Sequence, residues 1–414
     1  MIPTPSVTEM KIRSKQYKQY ILDKIEEFNT NGKKTLLITC DAFFPVVDGV
    51  VRVIENYATL LQDKMNVMLL TPCYKGKIGV YSYPVIGVKS GFSKRLNNQV
   101  PLPMFDVNYR RYLKKLRIDV IHCHSPFTVG RVAMRLSKQR KIPLVCTFHS
   151  QYKRDFQQQA KVFTNFMMRY IMKCFNSSTE TWTMHAASRD TLLSYGYKGK
   201  VKLMPNGTSM LPANNYAEER NTGRAKYMTD TNVPLLIFVG RLTIQKNILF
   251  IVDVLAELKR RKQPFKMLYV GDGPEKDHLE RKIEAEGLAD QIQLVGKKTK
   301  EELQEIFSAA DLFLFPSLYD VSSLVQVEAA SRYTPAAFVE GSVTSCTVTD
   351  GVNGFILPHD VQLYADGVCK VLQNPKLLAE VSQNAYKDLY VTWEDLMKDV
   401  YARYMQLIEE SKAK

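Results

Sequence analysis

Short, almost purely apolar runs separated by stretches of helical period restrict this chain to one kind of architecture. LLIFVG at 235–240, KMLYVG at 266–271 and DLFLFP at 311–316 are too short for buried helices and lack the alternation of a half-exposed strand. They read as strands covered on both faces, the signature of a parallel sheet. Between the first two, Ile248, Ile251, Val252, Leu255 and Leu258 recur at helical spacing. QIQLVG at 291–296 adds a further strand, with helices expected on either side of it, to about 287 and at 300–310. Strand and helix in alternation predict a doubly wound α/β unit. The first half carries the same rhythm: strands at 35–40, 65–71, 119–123, 143–148 and 201–207, with a helix expected over 51–62.

Two such units suit 414 residues, which exceed one ordinary core. The expected division is an N-terminal helical extension over 1–32, a first Rossmann-like domain over 33–210, a polar linker over 211–233, a second Rossmann-like domain over 234–389, and a C-terminal helix over 390–414 that returns to the first domain. The extension is read as one helix over 7–29 with Met10, Tyr17, Ile21, Leu22, Ile25 and Phe28 on a broken apolar stripe. No stretch approaches 18 consecutive apolar residues, and the start lacks the apolar run of a signal peptide, so a cytoplasmic protein is expected. Cys40, Cys123 and Cys146 sit in expected strands without paired metal spacing and read as reduced packing residues.

Charge is uneven. Residues 1–210 hold 33 lysines and arginines against 13 acidic residues, a surplus of 20, whereas 211–414 hold 24 against 29. The basic half suits an anionic partner such as a membrane surface, or is merely a soluble basic face. In the segment 89–117, Lys and Arg are mixed with Phe92, Leu96, Met104, Phe105, Tyr109 and Tyr112, a composition that fits anionic lipid headgroups or an ordinary surface helix. No nucleic-acid binding module accompanies the charge, and no nucleic acid partner is expected.

Chemistry-bearing residues gather at expected strand ends. Arg241 and Lys246 follow the first strand of the second domain and lead into a helix, where two cations can neutralise a diphosphate. Asp320 lies in the turn after 311–316, and Glu328 about two turns into the next helix. Turn and solvated-helix roles are the plainer readings of these two carboxylates. Gly49, just before a helix, suits close approach of a backbone to a phosphate or serves a turn. His124 and His149 end two buried strands, where α/β proteins bind ligands. A metal on His122, His124 and His149 is disfavoured because no carboxylate accompanies them in sequence. The chain has no pair of aspartates one residue apart, no Walker loop, no G-x-S-x-G elbow and no G-x-G-x-x-G fingerprint after a strand.

DAFFPVVDGV, HCHSPF, TFHS, MPNG, GRLTIQKN, YVGDGP, the Asp320 to Glu328 pair and DGVNGF occur in this order over residues 34–410. Together they resemble glycosyltransferase family 4, retaining nucleotide-sugar transferases of the GT-B fold, in which two doubly wound Rossmann-like domains face each other across a cleft. The family pattern has Glu, seven residues and Glu, with Phe-Gly early in the interval. Here Asp320 replaces the first Glu and Val321-Ser322 follow, which leaves the sugar open. The resemblance implies that Arg241 and Lys246 hold the diphosphate, Glu328 the ribose and Asp320 the sugar hydroxyls. Ser323 and Leu324 join the nucleotide-sugar site, Gly49 admits the phosphates, His149 faces the transferred sugar, and His124 lies on the acceptor side. It implies no metal and no cofactor beyond the nucleotide sugar as co-substrate. The basic half, SLYDVSSLVQVEAAS and FVEGS resemble bacterial diacylglycerol glucosyltransferases most. They imply transfer of glucose or galactose from a uridine diphosphate donor to diacylglycerol or a glycolipid, by an enzyme peripheral on the inner face of the membrane. A polysaccharide or polyprenyl-linked acceptor, or a non-catalytic GT-B partner protein, are the alternatives.

Overall fold

The computed structural model describes residues 9–413 apart from 46–48, 94–97, 161–163, 229, 231, 319 and 321–322. Val321 and Ser322, and three residues of the DAFFPVVDGV motif, thus lie outside the described residues. The chain divides into two compact units, one taking it as far as Pro205 together with Trp393–Lys414, the other Asn206–Thr392.

The first unit is built on seven parallel strands. From one edge they run Val201–Leu203, Glu180–Thr183, Leu144–Thr147, Val120–Cys123, Thr35–Thr39, Asn66–Pro72 and Val85–Val88. All but the edge strand Val201–Leu203 are wholly buried, as strands with helices on both faces must be. Chain order runs outward from Thr35–Thr39 in one direction and then resumes at Val120–Cys123 in the other. The topological switch point therefore falls between these two neighbours.

The second unit has six parallel strands in the order Ile292–Gly296, Lys266–Val270, Leu235–Val239, Leu312–Phe315, Ala336–Val339 and Phe355–Leu357. Its switch point lies between Leu235–Val239 and Leu312–Phe315. The helix Ile248–Arg260 covers this sheet with Ile248, Ile251, Val252, Leu255 and Leu258, all buried. Phe238, Phe313, Phe315 and Phe338 fill the interior, and each is at most 1% exposed.

Three segments differ from the sequence reading. The N-terminal helix spans Lys15–Thr30, not 7–29. Ser14 starts it by accepting from the Tyr17 N–H at 3.1 Å, and the residues before it form the strand Glu9–Lys11, paired antiparallel with Lys77–Gly79. The helix is stitched to the sheet by the Tyr17 hydroxyl, which donates to Val85 O at 3.0 Å and accepts from Gly87 N at 2.9 Å. The polar stretch expected to be a linker contains the helix Tyr216–Tyr227. Its buried residues are Gly223 and Arg224 and not apolar ones, so no hydrophobic period announces it. The helix packs where Gly223 backs onto Lys300–Ala309; a Cβ there would stand 2.7 Å from Glu305 O. Arg220 and Arg224 both pair with Asp311. The segment 89–117 forms a hairpin, Ser90–Ser93 with Asn98–Pro101, and then the helix Asn108–Lys115. Tyr109 and Tyr112 turn inward, while Met104, Phe105 and Val107 are exposed; the Phe92 side chain and Leu96 lie outside the described part of this segment.

The C-terminal helix Trp393–Lys412 belongs to the first unit. It buries Trp393, Leu396, Met397, Val400, Tyr404, Leu407 and Ile408. Tyr404 stacks on Trp182 with ring centroids 5.3 Å apart. Arg403 holds Glu180 at 2.5 Å, and the Trp182 indole N–H donates to the same carboxylate at 2.7 Å.

Candidate functional site

Each switch point gathers residues singled out in the sequence. In the second unit the loop after Leu235–Val239 carries Arg241 and Lys246, and the loop after the adjacent strand Leu312–Phe315 carries Asp320. Both Asp320 oxygens accept from the Lys246 ammonium, at 2.7 and 2.8 Å. Lys246 also stands over the Phe315 ring at 5.2 Å. The two loops are tied further by Ser317 Oγ, which donates to Gln245 O at 3.1 Å, and by Asn247, whose amide donates to Pro316 O at 3.3 Å. Asn247 takes the left-handed conformation at φ 57°, which asparagine tolerates better than most residues. Arg241 is exposed and makes no ion pair with any described residue. One cation is thus held by an internal carboxylate while the other is open to an anion.

Ser323 caps the next helix, Leu324–Ala330, by accepting from Gln326 N at 3.2 Å. The cap starts the helix late, so half-buried Glu328 sits only about one turn in, not two. Leu324 is the first helical residue.

In the first unit, Gly49 opens the helix Gly49–Leu60, with open space where a Cβ would stand. His124 follows Val120–Cys123 and is 1% exposed; half-buried His149 follows Leu144–Thr147. Their rings meet, His124 Nδ1 lying 3.0 Å from His149 Nε2. His122 is occupied on both sides, Nδ1 being 2.5 Å from the Tyr404 hydroxyl and Nε2 2.6 Å from Thr147 Oγ1. Burial drives His122 and His124 well below the usual imidazole range and His149 down to about 4, so all three are neutral near pH 7.

The sequence reading missed two features. Asp41, two residues beyond Thr35–Thr39, sits at the start of the helix Thr128–Arg140. Its Oδ1 accepts from Thr128 Oγ1 at 2.7 Å and Val129 N at 2.8 Å. The residue is half-buried, but Oδ2 is sealed without a hydrogen-bond partner among the described residues. Burial, opposed by those hydrogen bonds, pushes its pKa up to about 7. Because the folded pKa lies above the unfolded one, ionised Asp41 costs stability in full above about pH 7 and nothing once both states are protonated, near pH 3. Asp41→Asn is therefore expected to raise the melting temperature by roughly 5 °C at pH 8 and to leave it unchanged at pH 3, as read by calorimetry. The second feature is a buried thiol cluster. Cys123, Cys146 and Cys174 place their sulfurs within 4.8 Å of one another, though their sequence spacing gives no sign of it. Cys123 Sγ lies 3.0 Å from Ser125 O and Cys174 Sγ 3.6 Å from Gly130 O.

Comparison with known proteins places this arrangement. The family model described as Glycosyltransferase Family 4 matches residues 47–210, and that described as Glycosyl transferases group 1 matches residues 219–388. The alpha-monoglucosyldiacylglycerol synthase of Acholeplasma laidlawii is 25% identical over 403 residues, covering 91% of this chain and 98% of the relative. Sucrose-phosphate synthase from Thermosynechococcus elongatus superposes with a TM-score of 0.75 at 19% identity, covering 91% of this chain and all of that one. HepE of Anabaena, solved in complex with UDP, superposes with a TM-score of 0.71 at 17% identity, over 89% of this chain and all of that one. The two family matches follow one another along a chain whose two sheets are both doubly wound, and the protein belongs to the family 4 glycosyltransferases of GT-B fold.

Proposed function

We propose that this enzyme moves a hexose, glucose or galactose, from a uridine diphosphate donor to a membrane-associated lipid acceptor such as diacylglycerol or a glycolipid, with retention of configuration. The observation that carries the reading is the pair of cations at the switch point of the second unit, one paired with Asp320 and one open. Two cations on loops held by a rigid sheet are suited to a diphosphate leaving group. HepE, of the same fold, is solved with UDP, and the Acholeplasma relative, matched along nearly its whole length, is an alpha-monoglucosyldiacylglycerol synthase.

In this reading Arg241 and Lys246 bind the diphosphate, and Asp320 releases Lys246 to it and turns to the sugar hydroxyls. Glu328 receives the ribose beside the capped start formed by Ser323 and Leu324. Gly49 leaves space for the phosphates, His149 meets the transferred sugar, and His124 lies on the acceptor side. The bond from the anomeric carbon to phosphate oxygen breaks as the bond to the acceptor oxygen forms on the same face. The departing phosphate takes the acceptor's proton, so no protein nucleophile enters, and the two cations stabilise the charge that develops. No metal is assigned a part in this scheme.

The acceptor half of the reading draws on charge and shape in the first unit. Met104, Phe105 and Val107 are more than 70% exposed and precede the exposed Arg110, Arg111, Lys114 and Lys115. Apolar side chains beside cations suit an anionic bilayer surface, where the protein would sit peripherally on the cytoplasmic face. No helix among the described residues is long and apolar enough to cross a membrane.

The test is transfer of radiolabelled hexose from UDP-glucose and UDP-galactose into vesicles of anionic lipid doped with diacylglycerol. A labelled glycolipid with an α linkage is expected, with yield falling as salt is raised. Label appearing only in a polyprenyl-linked product would replace the acceptor named here, and absence of both transfer and donor hydrolysis would overturn the catalytic reading.

A further inference from the structure

The histidines at the switch point of the first unit differ in what their nitrogens can do. His122 has a partner for each, the Tyr404 hydroxyl and Thr147 Oγ1. His124 has a partner for one. Its Nδ1 lies 3.0 Å from His149 Nε2, with the two ring planes 21° apart, while its Nε2 is sealed from solvent and meets no hydrogen-bond partner among the described residues. The ring lies beside two others, His122 at 4.0 Å between centroids and Tyr57 at 5.4 Å, edge to face. Such neighbours offer no more than a weak π contact.

A neutral imidazole donates through one nitrogen and accepts through the other. If His149 donated to His124, the His124 proton would have to sit on Nε2, a buried N–H with no acceptor. If His124 donates through Nδ1, only a lone pair is left facing the rings. Orphaned buried N–H groups are the rarer of the two defects. We propose that His124 is a positioning residue that donates from Nδ1 to His149 Nε2, locking His149 in the Nδ1–H tautomer, so that what His149 presents to a substrate is a hydrogen-bond donor and never a base. The proposal rests on the reading of His149 as the residue that meets the transferred sugar. It deepens that reading by assigning the direction of the contact: His149 Nδ1–H donates to a sugar hydroxyl oxygen, and the acceptor's proton leaves by the phosphate alone. Burial keeps both rings neutral, as a donor and acceptor pair requires.

The experiment uses the full chain labelled with ¹⁵N in histidine, of which there are six, so the side-chain spectrum is sparse. His149→Gln removes one set of resonances and so assigns it. At pH 7 the wild-type His149 is expected to show a protonated Nδ1 and a bare Nε2. His124→Asn places an amide N–H near the lost Nδ1 and should keep that pattern, whereas His124→Leu should move the His149 proton to Nε2. In the transfer assay His124→Leu should lower kcat about tenfold, the equivalent of one neutral hydrogen bond, and His124→Asn should lower it much less. A protonated Nε2 on wild-type His149 overturns the proposal outright, even if the leucine variant fails to fold. Equal losses in both variants with an unchanged spectrum would make His124 merely structural and overturn it as well. The spectrum needs neither donor nor acceptor, so a protein that transfers no sugar would defeat the proposed function while leaving the tautomer to be read on its own.

Discussion

Replacing Lys246 by alanine is expected to lower turnover by about 10²-fold or more, the cost of removing one preorganised charge from a group-transfer site. The geometry suggests two contributions. Under the proposed function the ammonium that meets the diphosphate is lost, and Asp320, which it holds through both oxygens, is left as an unpaired anion beside the proposed diphosphate site. The second contribution can be separated. In Lys246→Ala combined with Asp320→Asn, which removes the charge but keeps a polar group for the sugar hydroxyls, the donor KM should recover relative to Lys246→Ala alone while kcat stays low, because repulsion acts on binding and the missing cation acts on the transition state. Both partners are about one-fifth exposed, so removing Lys246 leaves a largely desolvated carboxylate, and the melting temperature of each variant is measured beside its kinetics to separate lost stability from lost chemistry. Steady-state kinetics with a UDP-hexose donor is the measurement, and near-normal turnover of Lys246→Ala would remove the diphosphate assignment.

The largest effect on stability is expected at Tyr404. Its ring is fully buried against Trp182, and its hydroxyl is the partner of His122 Nδ1. Tyr404→Ala leaves an aromatic-sized cavity and an unpaired buried imidazole nitrogen, and should cost about 4 kcal/mol or more. Tyr404→Phe keeps the packing and loses only the hydrogen bond, so it should cost about 1–3 kcal/mol. Urea unfolding monitored by the fluorescence of Trp182 and Trp393 measures both. If the two variants lose the same amount, the stack against Trp182 contributes nothing and the C-terminal helix is held by its other contacts.

That helix shows where sequence reading has a natural limit. Its apolar period gives the helix itself, and the pattern past the last strand suggests a return to the first unit. Nothing in the order of residues shows that Tyr404 meets His122, because their meeting depends on how a helix from one end of the chain lies on a sheet from the other. The same holds for Asp41, which meets Thr128 from 87 residues away, and whose pKa is raised by a burial that only packing supplies and is held back by its hydrogen bonds to that helix start. The three thiols illustrate it again: Cys123 and Cys146 become neighbours only through the register of two adjacent parallel strands. Helix Tyr216–Tyr227 failed for a different reason. It buries a glycine and an arginine, and hydrophobic period is blind to a helix held by close backbone approach and ion pairs.

By itself the sequence determined the two α/β units, because a fully buried parallel strand can be little other than a short apolar run between helices. It also determined which residues stand at strand ends, since Arg241, Lys246, Asp320, His124 and His149 all lie at the ends of such runs or in the loops that follow them. Only the tertiary structure decided which strand ends are neighbours. Strand order put Leu235–Val239 beside Leu312–Phe315, and Val120–Cys123 beside both Thr35–Thr39 and Leu144–Thr147. The pairs Lys246 with Asp320 and His124 with His149 follow from that order, and hydrogen bonds between loops then set their distances. Side-chain chemistry is local and can be read along the chain. Whether a cation is free or held by a carboxylate, and which nitrogen of a histidine carries its proton, depends on neighbours that only packing supplies.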